Sequence, residues 1–537
     1  RTMERHEYIT YDNPDFSKPE ILIQHPYKHR RSPIMVTIAD PSITTVDMQK
    51  MMELGMNVVK IKISHCTKGE KIKLINKVSK ATSNLCKKHA ILDWPVTTCI
   101  ELKTCIVRTG ILFREDGTMV ITLKEGTFVV LTCDVQDFDK CTPSKVFVDN
   151  PYLSVDVKVG VRISINQDEI VVECKRIIDK QTVRCVVTKG GHLTNLCLVS
   201  VRGGDKSKRP LLTNKDLEII RFTLEHQVDI IIVNYARQVE TIRKVKEYIK
   251  QNIIEIAGKH AKRPIILSGI CTSEGLKNID DLIRESDGIV FSREFLAYEV
   301  EESSRYKLLH IQKWAGAKCL QEGKPFYISG EVFKRALATG EHCTNESADV
   351  TNALLDGVTG FILKDSPNVE IVFEVIKTLN ELCCTVEPLT NTKTDFWRIL
   401  DGMRMPTNAA EACAMSCAMV ANQTRARVVI IPTVTGQTAK IFMWLRPASL
   451  VLTVSSKTDT TRRLQSYRCV IPLMFEGHHW QKAIEARVQF AVEYAVKVGW
   501  LKLGDSYVTL QRGSDDSAFC DMVRTWKVTI SKKTAVE

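Results

Sequence analysis

The sequence predicts an α/β protein: a (β/α)8 TIM barrel with an inserted β-barrel domain, followed by a C-terminal doubly wound α/β domain. Three observations predict this fold. From Pro33 onward, short apolar runs alternate with amphipathic helical patterns, as in a parallel sheet covered by helices. Residues 105–205 are instead rich in β-type runs and turn residues. A second strand–helix alternation begins after about residue 380.

These changes of pattern define five segments. They are an N-terminal tail at 1–32, a first barrel part at 33–104, the inserted domain at 105–205, a second barrel part at 206–380 and the C-terminal domain at 381–537.

The barrel prediction depends on eight apolar runs separated by helical patterns such as TVDMQKMMELG at 45–55. Eight strand–helix repeats are what a closed (β/α)8 barrel requires. The predicted strands lie at 34–39, 57–64, 96–102, 228–236, 263–270, 288–292, 324–329 and 360–364.

The other two domains are predicted from different patterns. In the insertion, the runs at 118–123, 127–133, 161–179 and 183–188 are β-rich and bounded by turn residues. In the C-terminal domain, an Ala- and Met-rich helix at 409–421 precedes apolar runs at 427–433, 450–455, 469–474 and 505–512. That order is typical of a doubly wound sheet.

The composition is that of a globular protein. Of 537 residues, 44% are apolar and 26% are charged. No run of about 18 apolar residues predicts a membrane helix, and the first 30 residues lack the apolar core of a signal peptide. Eighteen cysteines without a repeating spacing fit a reducing compartment rather than a disulfide framework. We therefore expect a cytoplasmic protein.

The net charge of +12 permits a partner with an acidic surface. The basic segment KHRR at 28–31 adds to this expectation. Nucleic acid is not predicted, because no recognition motif accompanies the charge.

One stretch raises the question of function. SDGIVFSREFLAYE, residues 286–299, is predicted as a buried strand that turns into a helix. Such a helix start often holds an anionic substrate. Here it offers Glu294, which is negative, and Phe295, which is apolar.

Several motifs together resemble those of pyruvate kinases over about 33–528. They are MNVVKIKISH (56–65), VRTG (107–110), LTNKD (212–216), ESDGI (285–289), GKP (323–325) and ADVTNALLDG (348–357), in the order and spacing of that family. The resemblance implies transfer of a phosphoryl group from phosphoenolpyruvate to ADP, with a divalent metal and usually potassium, at the carboxyl-terminal mouth of the barrel. It also implies a homo-oligomer, although a repurposed member could have lost those contacts.

By this resemblance, part of the family's substrate site is kept. Arg108 matches a phosphate-contacting arginine, and Arg293 is also in place. Lys60 stands for the first phosphate arginine and keeps its charge but not its bidentate fork. We predict these three as remnants of the substrate-phosphate site.

The same resemblance implies that the groups for metal binding and catalysis are lost. The two metal carboxylates correspond to Phe295 and Cys271, and the lysine that stabilises the enolate corresponds to Gly269. The glycine facing the substrate carboxylate is Glu294, and the threonine near that carboxylate is Gly330. We therefore predict no metal site and no working catalytic residue.

The potassium site and the effector loop are also altered. Of the potassium-site positions, Ser64 is kept and Glu101 replaces an aspartate, whereas Lys62 and Leu102 stand for asparagine and threonine. A fixed ammonium on Lys62 could replace the ion. The effector loop is TVTGQT at 433–438, where Val434 and Gln437 stand in place of two cations of the family. The residues that could still cup a phosphate are Thr433, Thr435, Gly436 and Thr438.

The sequence therefore predicts a pyruvate-kinase-like pseudoenzyme with no required cofactor. A structural role in a larger assembly follows as a hypothesis, with an acidic filament such as a microtubule as partner and an association with the cytoskeleton. The rival hypothesis is an active or residual pyruvate kinase that uses Mg²⁺ and K⁺, the metal being held by substrate phosphates and Glu101 or Glu274. A third hypothesis is a sensor of small phosphate ligands.

Overall fold

The fold is described from a computed structural model. It covers residues 29–62, 67–102, 107–112, 120–166, 168–201, 210–299, 306–390, 392–476, 484–514 and 517–529. The N-terminal segment 1–28, and with it most of the predicted tail, lies outside these ranges, as do Ser64, Asp515 and Asp516.

The first part of the barrel begins at Ile34. Both of its helices have capping boxes, in which a threonine and an acidic residue three positions later bond each other's backbone N–H groups. The elements are β1 (Ile34–Ile38), α1 (Thr45–Leu54), β2 (Met56–Ile61), α2 (Lys68–His89) and β3 (Thr97–Glu101).

The inserted domain follows β3. Its strands form a six-stranded sheet in the order β11-β7-β8-β9-β5-β6 and a two-stranded sheet of β10 and β4. The elements are β4 (Ile121–Leu123), β5 (Phe128–Thr132), β6 (Lys145–Phe147), α3 (Leu153–Asp156), β7 (Arg162–Ile165), β8 (Ile170–Ile177), β9 (Thr182–Lys189), β10 (Gly191–Leu193) and β11 (Val199–Val201).

The two edges of the six-stranded sheet are joined by a short segment of the connecting chain. Arg108 pairs with Leu198 beside β11, and Thr109 pairs with Val148 beside β6. These bridges close the sheet around a single apolar core, which confirms the predicted β-barrel domain.

The second part of the barrel alternates strands and helices without interruption. The elements are α4 (Asn214–Glu225), β12 (Ile230–Val233), α5 (Val239–Ala257), β13 (Ile265–Ile270), α6 (Ser273–Lys277), α7 (Ile279–Glu285), β14 (Gly288–Ser292), α8 (Arg293–Glu299), α9 (Leu308–Gln321), β15 (Phe326–Ser329), α10 (Lys334–Thr339), α11 (Thr344–Leu355), β16 (Gly360–Leu363) and α12 (Val369–Val386).

Eight parallel strands close the predicted barrel in the order β1-β16-β15-β14-β13-β12-β3-β2. Side chains alternate along each strand. One set, which includes Val58, Leu267 and Tyr327, forms a separate apolar cluster, as expected of the packed barrel interior. The other set packs with the surrounding helices. Beyond this cluster, the inward-facing residues at the carboxyl ends of the strands line the mouth of the barrel.

The C-terminal domain has the predicted doubly wound form. Its sheet runs β19-β18-β17-β20-β21, with β21 antiparallel to β20, and separate apolar cores cover its two faces. The elements are α13 (Thr392–Gly402), α14 (Ala409–Gln423), β17 (Val428–Pro432), α15 (Gln437–Trp444), β18 (Leu450–Ser455), α16 (Thr458–Leu464), β19 (Val470–Met474), α17 (Ile484–Lys497), β20 (Ser506–Gln511) and β21 (Met522–Lys527).

The basic segment predicted for a free tail is partly built into the fold. Arg30 donates through Nη2 to the carbonyl of Gly55 at 2.7 Å. The backbone N–H groups of Arg31 and Ser32 donate to the Glu387 carboxylate at 2.6 and 2.7 Å. Arg31 is only 4% exposed, so neither arginine is a freely available docking charge.

Two further findings bear on the composition. Every described cysteine is free. Among the described helices, none combines the length and the apolar character needed to cross a membrane.

Candidate active site

The candidate site lies at the carboxyl ends of the barrel strands, where chain segments leave β2, β3, β13, β14, β15 and β16. Residues 60, 101 and 269 continue the inward-facing alternation of the interior cluster. The fold therefore gathers most of the sequence-predicted site residues in one region.

Lys60 and Glu101 form a buried ion pair across neighbouring strands. The Lys60 Nζ lies 2.6 Å from the Glu101 Oε2, and the side-chain amide of Asn234 donates to the same oxygen at 3.1 Å. Burial opposes both charges, but the pairing outweighs it. As a result, the pKa of Lys60 is raised and that of Glu101 is lowered. Both groups are charged at neutral pH and neutralise each other.

The positions compared with a potassium site offer few oxygen ligands. Lys62 places its Nζ 3.3 Å from Asp365, which follows β16. Leu102 is fully buried among the apolar residues outside the barrel strands and has no side-chain oxygen. Ser64 lies outside the described residues. Of the described residues at these positions, Glu101 is the one with a side-chain oxygen, and Lys62 supplies a cation that is already paired.

Gly269 lies directly against Asn234 and leaves no space for a side chain. A β-carbon at position 269 would come within 2.7 Å of the Asn234 Oδ1, a distance that real contacts essentially never show. Any larger side chain would therefore require Asn234 to move.

Cys271 is fully buried just beyond β13. Burial raises the pKa of its thiol to about 12, so it is uncharged at neutral pH. Because the thiolate is the form of cysteine that binds metals, this side chain is a poor ligand, and magnesium in any case prefers oxygen.

The start of α8 is held by two ion pairs. Arg293 Nη1 lies 2.6 Å from the Asp349 carboxylate on α11, while its Nε and Nη2 are buried and have no partner among the described residues. Glu294 Oε2 lies 2.5 Å from the Nζ of Lys364, the residue after β16. The charges at this helix start are therefore largely balanced by the protein itself.

Phe295 and Gly330 complete this side of the mouth. The Phe295 ring packs on Tyr235 with a centroid separation of 5.2 Å. Gly330 has a positive φ of +74°, and a β-carbon there would lie 2.9 Å from both the Cβ and the backbone nitrogen of Glu294. The absence of a side chain at 330 thus makes room for Glu294.

Arg108 and Glu274 are engaged elsewhere. Arg108 lies in the inserted domain, where its Nη1 donates to the carbonyl of Leu196 at 2.9 Å. The Glu274 carboxylate lies 3.4 Å from Arg237 and accepts from Gln238 at 3.0 Å. Neither contact links these two residues to the Lys60–Glu101 pair.

A divalent metal does not fit the residues present. Across the described ranges, no three or more His, Cys, Asp or Glu side chains are grouped so as to hold a metal ion. The two positions expected to supply metal carboxylates carry a phenyl ring in Phe295 and a neutral thiol in Cys271. Of the nearby acids, Glu101 and Glu294 are each bound to a lysine.

The effector loop lies between β17 and α15 and satisfies several of its own polar groups. The Gly436 N–H donates to Thr433 Oγ1 at 2.9 Å, and the Gln437 N–H to Thr435 Oγ1 at 3.4 Å. Thr438 forms a side-chain hydrogen bond with Cys520. Val434 and Gln437 add no charge to this loop.

Four residues of the mouth were not predicted from sequence: Asn234, Asp349, Lys364 and Asp365. Asn234, Lys364 and Asp365 directly follow β12 or β16, and polar residues at barrel strand ends are a usable signal for a site. Asp349 lies inside α11. Its role depends on the packing of that helix, for which the local sequence gives no signal.

Comparison with known proteins supports the resemblance across both large domains. The family model described as "Pyruvate kinase, barrel domain" matches residues 29–367. The model "Pyruvate kinase, alpha/beta domain" matches residues 411–524.

Curated relatives align over nearly the whole chain at low identity. A pyruvate kinase of Leishmania mexicana is 26% identical over 502 residues, which cover 92% of this chain and 95% of the relative. The pyruvate kinase of Debaryomyces hansenii is 24% identical over 92% of this chain and 95% of its own length. Pyruvate kinase PKLR of Homo sapiens is 24% identical over 94% and 86%.

Proposed function

The chain belongs to the pyruvate kinase family, and on that premise we propose that it is a member without phosphoryl-transfer activity whose role is structural. The observation that carries the proposal is the side-chain chemistry at the three positions expected for metal and enolate binding. Phe295 and Gly269 provide no ligand, and Cys271 is a buried, neutral thiol. Phosphoryl transfer in this family depends on a divalent metal and on the lysine that stabilises the enolate, whose position corresponds to Gly269.

The size of the expected loss supports inactivity. Lewis-acid stabilisation by a metal ion is worth several kcal/mol. Removal of one preorganised electrostatic group commonly lowers the rate by about 10²–10³. Such losses are not additive, yet even one of them would severely slow turnover, and here three positions are changed together.

The ion pairs of the mouth support the same proposal. Lys60 is bound to Glu101, Lys62 to Asp365 and Lys364 to Glu294. An incoming phosphate would have to compete with these carboxylates for each cation. A site that is neutralised internally has less attraction for an anionic substrate than one with free cations.

A coupled assay of pyruvate formation tests the loss of activity. The purified chain would be supplied with phosphoenolpyruvate, ADP, Mg²⁺ and K⁺, beside the pyruvate kinase of Leishmania mexicana as the active control. We expect no turnover above the background without enzyme. Ordinary kinases turn over at about 1–100 s⁻¹, and a rate within about a hundredfold of that range would disprove the proposal.

The second candidate is an active or residual pyruvate kinase, for which the family normally uses Mg²⁺ and K⁺. The observation that favours it is the pairing of Lys60 with Glu101, which keeps a cation and a carboxylate on the inner face of the mouth. Metal would then have to be held by the substrate phosphates and Glu101 or Glu274. The same assay decides between the two candidates.

For the structural role, we propose a cytoplasmic protein that docks on an acidic filament, with microtubules as the first assembly to test. Its support is the net charge of +12. Cosedimentation should decrease as salt rises, because surface attraction is screened within about 8 Å at physiological salt. It should not respond to phosphoenolpyruvate or ADP. Filament binding that does not change with salt concentration but changes with nucleotide would instead favour a sensor of phosphate ligands.

The variant for this assay is a deletion of residues 1–28, because Arg30 and Arg31 are part of the fold. If the N-terminal segment contributes to docking, its removal should weaken cosedimentation. Sizing of the same preparations would show whether the chain keeps the homo-oligomeric state expected of the family or elutes near 60.7 kDa as a monomer.

A further inference from the structure

An open groove lies outside the barrel mouth, between α6 and the start of α9. It has a volume of about 720 Å³, and its apolar lining comes from Leu276, Tyr306, Ile311 and Trp314. This volume lies within the range of about 300–1,000 Å³ found for ligand-binding pockets.

The exposure of its aromatic residues is unusual. Tyr306 is 71% and Trp314 46% exposed, whereas the polar Gln312 on the same helix is only 3% exposed. A surface helix normally turns its large apolar residues toward the core. In α9, Gln312, Ala315 and Cys319 are the buried residues, so Trp314 lies outside the stripe that packs on the barrel.

The groove also carries positive charge that the described residues do not balance. Lys277, Lys307 and His310 form its polar lining. In the described part of the chain, neither lysine has an ion-pair partner, and Lys307 instead lies over the Tyr306 ring, 5.6 Å from its centroid.

Two described acids close to Lys277 in sequence are already paired. Asp280 is 2.6 Å from Lys318, whose Nζ also lies 4.9 Å from the centroid of the Trp314 ring. Glu274 is bound to Arg237. Among the described residues, the lining of the groove therefore contains basic side chains and no acidic one.

We propose that this groove binds an acidic segment of a partner polypeptide that carries an aromatic anchor residue. The anchor packs on Trp314 and Leu276, and flanking carboxylates pair with Lys277 and Lys307. Positions 307, 310, 311 and 314 share one helical face, which spans about 10 Å at 1.5 Å per residue. An extended segment of three or four residues, at about 3.3 Å each, covers that length.

The proposal deepens the proposed structural role by naming a docking surface, and it rests on that role only for its biological meaning. Its test measures binding and not turnover. An active enzyme with an occupied groove, or an inactive one with an empty groove, would therefore be recognised separately.

The test is fluorescence polarisation of the full chain with three fluorescein-labelled peptides: Glu-Glu-Phe-Glu-Glu, Glu-Glu-Ala-Glu-Glu and Lys-Lys-Phe-Lys-Lys. We expect saturable binding of the first, at least tenfold weaker binding of the second and none of the third. Affinity for the first should decrease between 50 and 200 mM salt.

Matched variants locate the binding. Trp314→Ala and the double change Lys277→Glu/Lys307→Glu should each weaken it about tenfold or more. Trp397→Ala is the aromatic control, because Trp397 is 45% exposed on α13. Lys259→Glu/Lys502→Glu is the charge control, at two other exposed lysines. Thermal melts that match the wild type would show that all variants are folded.

Four outcomes of the binding measurements would overturn the proposal. They are no binding of the Phe peptide up to 1 mM, equal binding of the Ala peptide, binding that the controls weaken as much as Trp314→Ala, and tighter Trp314-dependent binding of a single-stranded oligonucleotide. A dimer that Trp314→Ala dissociates would also overturn it, because the groove would then be occupied by a second copy of the chain.

Discussion

The Glu294 carboxylate lies 2.5 Å from the ammonium nitrogen of Lys364, and this pair connects the helix start after β14 to the end of β16. Since β15 lies between those two strands, the pair crosses the end of β15. Gly330, the residue after β15, has no side chain and makes room for Glu294. These three residues therefore form one packed unit at the barrel mouth.

The ion pair itself should contribute little to stability. Its side chains are 18% and 38% exposed, so solvent screens much of the attraction. A double-mutant cycle with Glu294→Gln and Lys364→Met should give a coupling of about 0.5–1 kcal/mol by urea unfolding. The coupling should decrease in 1 M salt, and a value that stays above about 2 kcal/mol there would contradict this exposed geometry.

Restoring bulk at position 330 should be costly. Gly330→Thr introduces a β-branched residue at a φ of +74° and a β-carbon 2.9 Å from Glu294, and we expect a loss of about 2–4 kcal/mol in unfolding free energy. Gly126→Thr is the control, because Gly126 has a φ of +80° but nothing within 4 Å of its added β-carbon. If both variants lose the same amount, the contact with Glu294 has no role.

Restoring a single metal ligand should not restore metal binding. In Phe295→Asp, the new carboxylate would lack its partner at Cys271, and Gly269 would still lack the lysine. We expect no heat of Mg²⁺ binding by calorimetry and no pyruvate formation. A clear gain in either measurement from this single change would mean that the correspondence of positions 269–271 with the family motif is wrong. A thermal melt that matches the wild type would show that the variant is folded.

The Lys60–Glu101 pair should stabilise the fold over a defined pH window. Because the pKa of Glu101 is lowered, its contribution to stability is fully present above about pH 4.5, its ordinary value. That contribution is lost as the pH falls through the pKa of the folded state. Because the pKa of Lys60 is raised, its contribution to stability is fully present below about pH 10.5, its ordinary value. That contribution is lost as the pH rises through the pKa of the folded state. The contribution is therefore constant between roughly pH 6 and 9.

The variant Lys60→Met leaves Glu101 buried without its cation, and we expect a loss of about 3–5 kcal/mol at pH 7. Adding Glu101→Gln should recover part of that loss. As a control, Lys50→Met breaks a pair with Glu370 whose side chains are 50% and 71% exposed, and it should cost under about 1 kcal/mol. Urea unfolding at pH 4 and 7 measures both, and a Lys60→Met effect that does not shrink at the lower pH would argue against the charged pair.

The effector loop should bind fructose 1,6-bisphosphate weakly or not at all. Val434 and Gln437 replace two cations, and charge-assisted hydrogen bonds to phosphate are roughly twice as strong as neutral ones. Calorimetry should show no binding of this ligand by the wild type. If the double variant Val434→Lys/Gln437→Arg differs from the wild type, the difference should be a gain of binding. Micromolar affinity of the wild type would show that the hydroxyls of Thr433 and Thr435 suffice.

The fold class was predictable from local patterns in the sequence. The eight barrel runs are local patterns, because an apolar strand followed by an amphipathic helix is encoded within some 30 residues. The resemblance to the family assigns Gly269, Cys271 and Phe295 to its substrate and metal site, and this assignment stays a prediction. The closed ring of eight strands and the doubly wound C-terminal sheet agree with those predictions.

Only the tertiary structure decided which charges are paired. Glu294 meets Lys364 because β14 and β16 both lie beside β15, and Arg293 meets Asp349 because α11 packs near the start of α8. The same holds for Arg31, which the sequence places in a basic tail but which is buried against Glu387. Local sequence encodes whether a side chain is charged, whereas its partner and its exposure depend on the packing of non-adjacent elements.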